Sequence, residues 1–510
     1  MMELKPTNSG SRSVTNGREL RPDPALKVPS IRHFQGLCAV VLGLVIMGAL
    51  SACDLETTNP GPIHDVNVDD PAAHSAIVNG AMRATLQGLA GYAYWGGAVV
   101  RDHHPGGHTG TAGVPEGIEL GRLDDNQTAT GGWNSSHQGR WIGEHMIARL
   151  RDKMGSDADS YPPMARFHLW AGFASRILGE NACTAVFEDS APEHHTAYFT
   201  RAVQHFSDAA RVANAAGDNE TRLAALAARA SAHLHLGNWT EAAADASQIP
   251  EDFAFRAQYY DENRYSYAQP AGITFRGLTF WHHPFEDYFP ETGDPRAAWG
   301  MDPNVNFTVS RAAWGRIIPM YYPLKWIAPR GPSERTVFAP VLAQQSLIPV
   351  DLATGREALL IRAEVRLVEG DLEGGMALLN QVRTTTVDPG TGAFGNYFTG
   401  EPLEPVVASN MEEAWAALKF ERLLEFNMEG RRFGDRKRWA LRGTPGELHP
   451  LEYLPDNHVE RFGVPREVRL CFPMSRGEKD ANERIPDGFQ EIEITDARVV
   501  PGTVGPLGPG

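Results

Sequence analysis

Two stretches of this 510-residue chain concentrate side chains able to do chemistry. The first, Gly88 to Gly139, is Gly-rich and holds Tyr92, Tyr94, Trp95 and Trp133, with Arg101 and Asp102 close by. The second, Pro250 to Pro349, holds Trp281, Trp299, Trp314, Tyr321 and Trp326. Flat aromatic faces accept the C–H faces of sugar rings and of other ring-bearing ligands, and polar neighbours bind their hydroxyls. Each aromatic taken alone reads more often as core packing.

Other chemistries are less well supported. Asp102, His103, His104 and His108, with the pair His282 and His283, are residue types that ligate transition ions. Histidines in Gly-rich loops are more often only solvated, so no metal and no cofactor is expected. Glu286, Asp287, Glu291 and Asp294 cluster near aromatics, as the carboxylate pair of a glycosidase would. Spacing along the chain does not set the separation such chemistry needs. No G-x-S-x-G, H-E-x-x-H or phosphate-binding loop occurs in a strand–helix context. The four cysteines, Cys38, Cys53, Cys183 and Cys471, have no zinc-like spacing. Cys183 and Cys471 read as two buried thiols, with a disulfide open to them outside the cytoplasm. The formal charge of -16 excludes nucleic acid as a partner, since no basic stripe overrides it.

Helical hairpins must position these groups. The stretch Leu226–Pro250, "LAARASAHLHLGNWTEAAADASQIP", has the tetratricopeptide pattern: small Ala230 where paired helices approach, Gly237 at the turn, Ala242 in the second helix. Leu359–Arg383 repeats it with Ala363, Leu367, Gly370 and Gly375. A weaker pair spans Met164–Cys183 and Ala197–Ala216. Such hairpins must stack to bury their faces. Residues 69–89 read as a helix, 88–139 and 251–349 as loop-rich insertions, and 141–250 and 352–441 as the helical repeats. Asn410–Leu441 reads as one long charged helical stretch with Ala414, Ala417, Leu424 and Met428 on one face and Glu421 among them. A carboxylate on a packed face needs a partner, for which Arg422, Arg431 and Arg432 are candidates. Glu421, Arg422, Glu425, Glu429, Arg432 and Asp435 are therefore read as a structural ion network rather than a catalytic one.

The start of the chain is a different kind of signal. Gly36–Leu50 is strongly apolar, too short for an easy bilayer span and preceded by Lys27, Arg32 and His33. It ends in Leu50-Ser51-Ala52-Cys53, which resembles a bacterial lipobox. Residues 1–52 then read as a lipoprotein signal peptide, 53–68 as lipid anchor and tether, and 69–510 as one domain.

Taken together these features resemble the SusD/RagB family of outer-membrane nutrient-binding lipoproteins. The resemblance rests on the lipobox at Cys53, Arg362-Ala363-Glu364, and Leu379-Asn380-Gln381-Val382-Arg383. It continues through Glu421-Arg422, Glu425, Glu429-Gly430-Arg431-Arg432, Asp435 and Arg438-Trp439, and ends at Phe472-Pro473-Met474, Glu478 and Asn482. Asp294-Pro295-Arg296 also recurs in the family. The resemblance implies a mostly α fold, a tetratricopeptide-like scaffold carrying an irregular ligand-binding half. It implies a surface-exposed, lipid-anchored outer-membrane protein that binds an oligosaccharide and delivers it to a SusC-like TonB-dependent transporter, without catalysis. It puts Trp95 with Arg101 and Asp102 first among the ligand-binding candidates, since the family often places a stacking residue in the early loop. A glycan-active hydrolase and a repeat-based protein-interaction lipoprotein are the alternatives. If the lipobox is used, mass spectrometry of the mature N-terminus will find Cys53 lipid-modified as the first residue; an unmodified Cys53 inside a longer chain would refute the anchor.

Overall fold

The computed structural model describes residues 67–105, 114, 116–128, 132–257, 278–300, 322–323, 350–385 and 402–503. Helix α1, Pro71–Val100, starts where Asp70 Oδ1 accepts a hydrogen bond from Ala72 N and Pro71 occupies the first turn. It ends at Arg101, which takes a left-handed conformation with φ 60°. The helix thus continues through Gly88–Val100, a segment the composition assigns to a loop. The glycines there serve packing. A Cβ on Gly88 would lie 2.9 Å from Ser136 N, and one on Gly139 would lie 2.9 Å from Thr85 N, so these glycines let α1 approach helix α2, Asn134–Met154. Glycine inside a helix costs about 0.5–1 kcal/mol relative to alanine, and close helix packing offsets it.

Helix α3, Pro162–Asn181, packs on α2, and α4, Thr196–Ala216, packs on α3. Helices α5, Asn219–Leu236, and α6, Trp239–Ala246, form the expected hairpin. Asp218 Oδ1 accepts from Thr221 N at 3.1 Å, Gly237 turns the chain with φ 82°, and Ala230 and Ala242 are fully buried. Strand β1, Ala254–Ala257, pairs antiparallel with β2, Val350–Thr354. Within the insertion, helix α7 spans Phe285–Thr292.

The second predicted hairpin is also present, as α8, Gly355–Val368, and α9, Leu372–Thr384, capped by Thr354 and Asp371. Gly375 faces Leu367 so closely that a Cβ would collide with its Cδ2, which explains glycine where the first hairpin has alanine.

The charged stretch at 410–441 is two helices, α10, Met411–Phe426, and α11, Arg432–Arg442. The break holds Met428 at φ 60° and Gly430 at φ 78°, so Met428 leaves the face shared by Ala414 and Leu424. The cause lies far away in sequence. Asp102 accepts a hydrogen bond from Met428 N (2.7 Å), which takes the place of the intrahelical bond that continuation would need, and another from the side-chain Asn427 Nδ2 (2.9 Å).

One large apolar core joins α1 to α5 with the C-terminal segment; a second lies between α8, α9 and α10. Cys183 and Cys471 form a disulfide with Cα atoms 4.8 Å apart, beside a backbone bridge from Ala182 to Phe472. Of the two readings left open by sequence, the paired one is adopted. If Gly88 is a packing residue, Gly88→Leu lowers the unfolding free energy by about 1–3 kcal/mol in denaturant titration; an unchanged midpoint would refute the close contact.

Candidate functional site

The ion network lies between the hairpins and the break. Arg422 donates to Asp435 through Nε (2.7 Å) and Nη2 (2.8 Å), and Arg438 Nη2 donates to Asp435 at 2.9 Å. Arg438 also bonds both oxygens of Glu364 on α8, and Trp439 Nε1 donates to Glu364 at 3.2 Å. Arg431 donates to Glu180 on α3 (3.2 Å) and Glu357 on α8 (2.8 Å). Arg432 pairs with Glu452. Arg296 pairs with Asp294, Glu421 and Glu425, while Arg383 reaches Glu421 and Arg356 reaches Glu425. Glu429 acts through space on Arg431. Arginine suits these places because its planar fork meets carboxylates with two parallel bonds.

Burial opposes every one of these charges. Desolvation pushes the Asp435 carboxyl up, but Arg422 and Arg438 more than offset it and hold it below the usual carboxylate range. In the same way Asp435 and its neighbours overcome desolvation to raise Arg422 above its ordinary value. Buried Lys437 has less help. Its pKa is pushed down to about 7 by burial, while it donates to Gly179 O (2.7 Å) and Ala182 O (3.1 Å) at the C-terminal end of α3.

The ligand-binding candidates do not converge on one point. Trp95 is half-buried on α1, against the main core. Arg101 and Asp102 follow it and are buried. Arg101 donates to His282 O, to Leu451 O at 3.3 Å and to His104 Nδ1 at 3.1 Å. Trp281 is buried with Leu120, Leu454, Val464 and Val499, and its ring lies 5.1 Å from that of His104. Arg101 and Trp281 therefore belong to one joint, where the backbone of His104 pairs with Thr279. Asp102 is turned away, toward Asn427 and Met428. Trp133 is buried in a separate cluster with Leu178, Tyr198 and Met474. Trp299 is half-buried in a third, and its Nε1 donates to Phe285 O at 2.9 Å. Trp314, Tyr321 and Trp326 lie outside the described residues.

Among the described residues no three His, Cys, Asp or Glu side chains gather so as to hold an ion. His108 lies outside them. Of the four carboxylates near the aromatics, Asp294 is committed to Arg296 and to Tyr288 Oη, and Glu286 accepts from His282 N at 2.6 Å. Residues that sequence reasoning missed are Asn427, Glu364, Glu452 and Arg296 in its role as the hub for Glu421 and Glu425. Only the doubled His-His-Pro of 103–105 and 282–284 signalled the joint in advance.

The SusD family model matches residues 356–492, the segment that runs from α8 through α11 and beyond. Three solved structures are similar over most of the chain. A SusD-like carbohydrate binding protein from Bacteroides vulgatus is 12% identical, with TM-score 0.53, over 82% of this chain and 98% of that one. A SusD/RagB family protein from Bacteroides thetaiotaomicron is 11% identical, with TM-score 0.55, over 80% and 94%. A laminarin binding SusD-like protein is 16% identical, with TM-score 0.50, over 83% and 98%. No curated protein sequence matches. The fold is SusD-like and mostly helical, as the hairpin pattern predicts.

Asp435→Asn should cost about 3–5 kcal/mol at pH 7, because Arg422 and Arg438 lose their shared carboxylate. Asp435 has its folded pKa depressed, so its contribution is present above the ordinary carboxylate value near 4 and is lost as pH falls below it. Denaturant titrations should find a constant gap between variant and wild type above about pH 5 that narrows toward pH 3; a gap independent of pH would refute the charge assignment.

Proposed function

We propose that this chain, a member of the SusD family, is a lipid-anchored outer-membrane protein that binds an oligosaccharide at the cell surface and delivers it to a SusC-like TonB-dependent transporter. The observation that carries the reading is the partly open aromatic ring of Trp95 at the end of a helix packed in a SusD-like scaffold. A stacking plane for a sugar must be held rigidly and still be reachable, and Trp95 and Trp299 meet both conditions. Trp133, Trp281, Arg101 and Asp102 are buried, so in this reading they hold the loops that carry the contact surface. Trp314, Tyr321 and Trp326 complete the proposed aromatic set.

The printed names of two similar structures, carbohydrate binding and laminarin binding, support a glycan as the ligand class. Family membership supports the cell envelope as its location. In this reading a lipid on Cys53 supplies the membrane contact; among the described residues no helix is long and apolar enough to cross a membrane. Binding without turnover is favoured over hydrolysis because Asp294, one of the four loop carboxylates, is already tied to the Arg296 guanidinium, which holds it below the usual carboxylate range despite burial. A carboxylate so held is a poor proton donor.

Calorimetry of the purified chain against a panel of glycans, laminarin among them, should find at least one ligand. Trp95→Ala should weaken it ~10-fold or more, about 1.4 kcal/mol, with the melting temperature unchanged. Trp281→Ala should instead lower the melting temperature. Absence of any glycan ligand, or full affinity in Trp95→Ala and Trp299→Ala alike, would overturn the reading. Release of reducing ends from a bound glycan would overturn the non-catalytic part.

A further inference from the structure

The turns Asp102-His103-His104-Pro105 and Trp281-His282-His283-Pro284 meet in space, joined by the pairing of His104 with Thr279. The Arg101 guanidinium lies between them. Its acceptors are His282 O, Leu451 O and His104 Nδ1, so one side chain ties the early loop, the insertion and the C-terminal segment. All three acceptors are uncharged. Glu452, which acts on Arg101 through space, is bonded to Arg432.

Three imidazoles, those of His104, His282 and His283, therefore sit within reach of the charge of a guanidinium whose hydrogen bonds, among the described residues, reach no carboxylate, with His103 next to them in the turn. His103, His104 and His283 are buried, and His282 is half-buried. Neither ring nitrogen of His103 makes a hydrogen bond of ordinary geometry, and neither does Nε2 of His283. Protonation would set like charges together in a medium of low dielectric, a cost that the Tyr94 carbonyl beside His103 and the Arg101 carbonyl beside His283 offset only in part. Arg101 and His282 also both hold positive φ, at 60° and 48°, a backbone state the joint must enforce.

We propose that this joint is an acid-sensitive clasp, in which protonation of its histidines breaks the hold of Arg101 on His104 and His282 and parts the early loop from the insertion. Burial, and then the charge of Arg101, keeps His104 and His283 well below the ordinary histidine range. Burial, opposed only weakly by the Tyr94 carbonyl, holds His103 at about 3. Burial and Arg101 hold His282 at about 3. In the opened loops these rings return to about 6.5. The clasp is thus fully stable above pH 6.5 and loses stability as pH falls from there toward 3.

Every element packed on the joint contributes to this balance. Tyr94 lies on α1, and Asp102 is held by Asn427 and Met428. Glu286 on α7 bonds His282 N and is the counter-charge nearest the turn in sequence. From the C-terminal half come Arg436, Glu452, His449 and His458, with Asp287 acting on His449. Arg101 works against protonation of His104, His282 and His283, as do the neighbouring imidazoles of His449 and His458.

Hydrogen exchange of the full chain, read by mass spectrometry from pH 7.5 to 4.5 and corrected for intrinsic rates, tests the clasp without any ligand. Its outcome is therefore independent of the glycan reading. Peptides spanning 97–105 and 278–286 should lose ~100-fold or more of their protection per pH unit below about 6, as two or more protons enter on opening. The α5–α6 hairpin should stay protected over the same range. Loss of protection in both regions together, or none in the joint, would overturn the proposal. His282→Asn keeps a residue that tolerates positive φ and should make the dependence shallower by ~10-fold per pH unit; an unchanged slope would likewise overturn it.

Discussion

Asp435 is the contact on which the remainder of the structure turns. It sits fully buried on α11 and is shared by Arg422 from α10 and Arg438 from its own helix. A buried charge without a partner is far more costly than a pair, so these groups accept essentially one arrangement. Arg438 passes the constraint to Glu364 on α8, and Arg431 carries it to Glu180 on α3 and Glu357 on α8. Hairpins distant in sequence are thereby set in register by charge as well as by apolar area. Hydrophobic packing alone tolerates small slips, whereas a two-pronged guanidinium contact does not.

The same region fastens helix ends. Lys437 donates to carbonyls at the end of α3, and Arg442 donates to Leu234 O and His235 O at the end of α5. The last carbonyls of a helix have no intrahelical donor and carry partial negative charge. Cationic side chains from one short helix satisfy two such ends. Helix α11 therefore acts as a basic strut between hairpins, and its cations are occupied inside the fold.

Among the described residues the break between α10 and α11 is one of the places where scaffold and loops are coupled, beside the pairing of Arg296 with Glu421 and Glu425. The break between α10 and α11 exists because Asp102 takes up Asn427 and Met428, and Asp102 is preceded by Arg101, the knot of the loop joint. The path from the ion network to the candidate binding half thus runs through a few buried polar residues. This arrangement accounts for the burial of Arg101, Asp102 and Trp281. Under the proposed function they position the contact surface from behind; Trp95 and Trp299 are only half-buried.

Much of the scaffold was legible in the chain itself. Alanine and glycine at hairpin spacing around Gly237 and Gly370 specify two stacked hairpins, because only small residues let paired helices approach. Glu421 on an apolar face announced that buried charge must be matched. The tertiary structure decided what local pattern cannot carry. Gly88 and Gly139 look like loop formers until α1 and α2 are brought together, since glycine marks close approach and chain reversal alike. The continuous 3-4 spacing through Met428 hides the break, because Asp102, more than three hundred residues earlier, supplies the competing hydrogen bond. Which aromatic stays reachable, and which cysteines pair, depend in the same way on neighbours that sequence spacing does not reveal. Local chemistry sets the elements and the need for partners; only the fold chooses the partner, since burial and distance are properties of the packed chain.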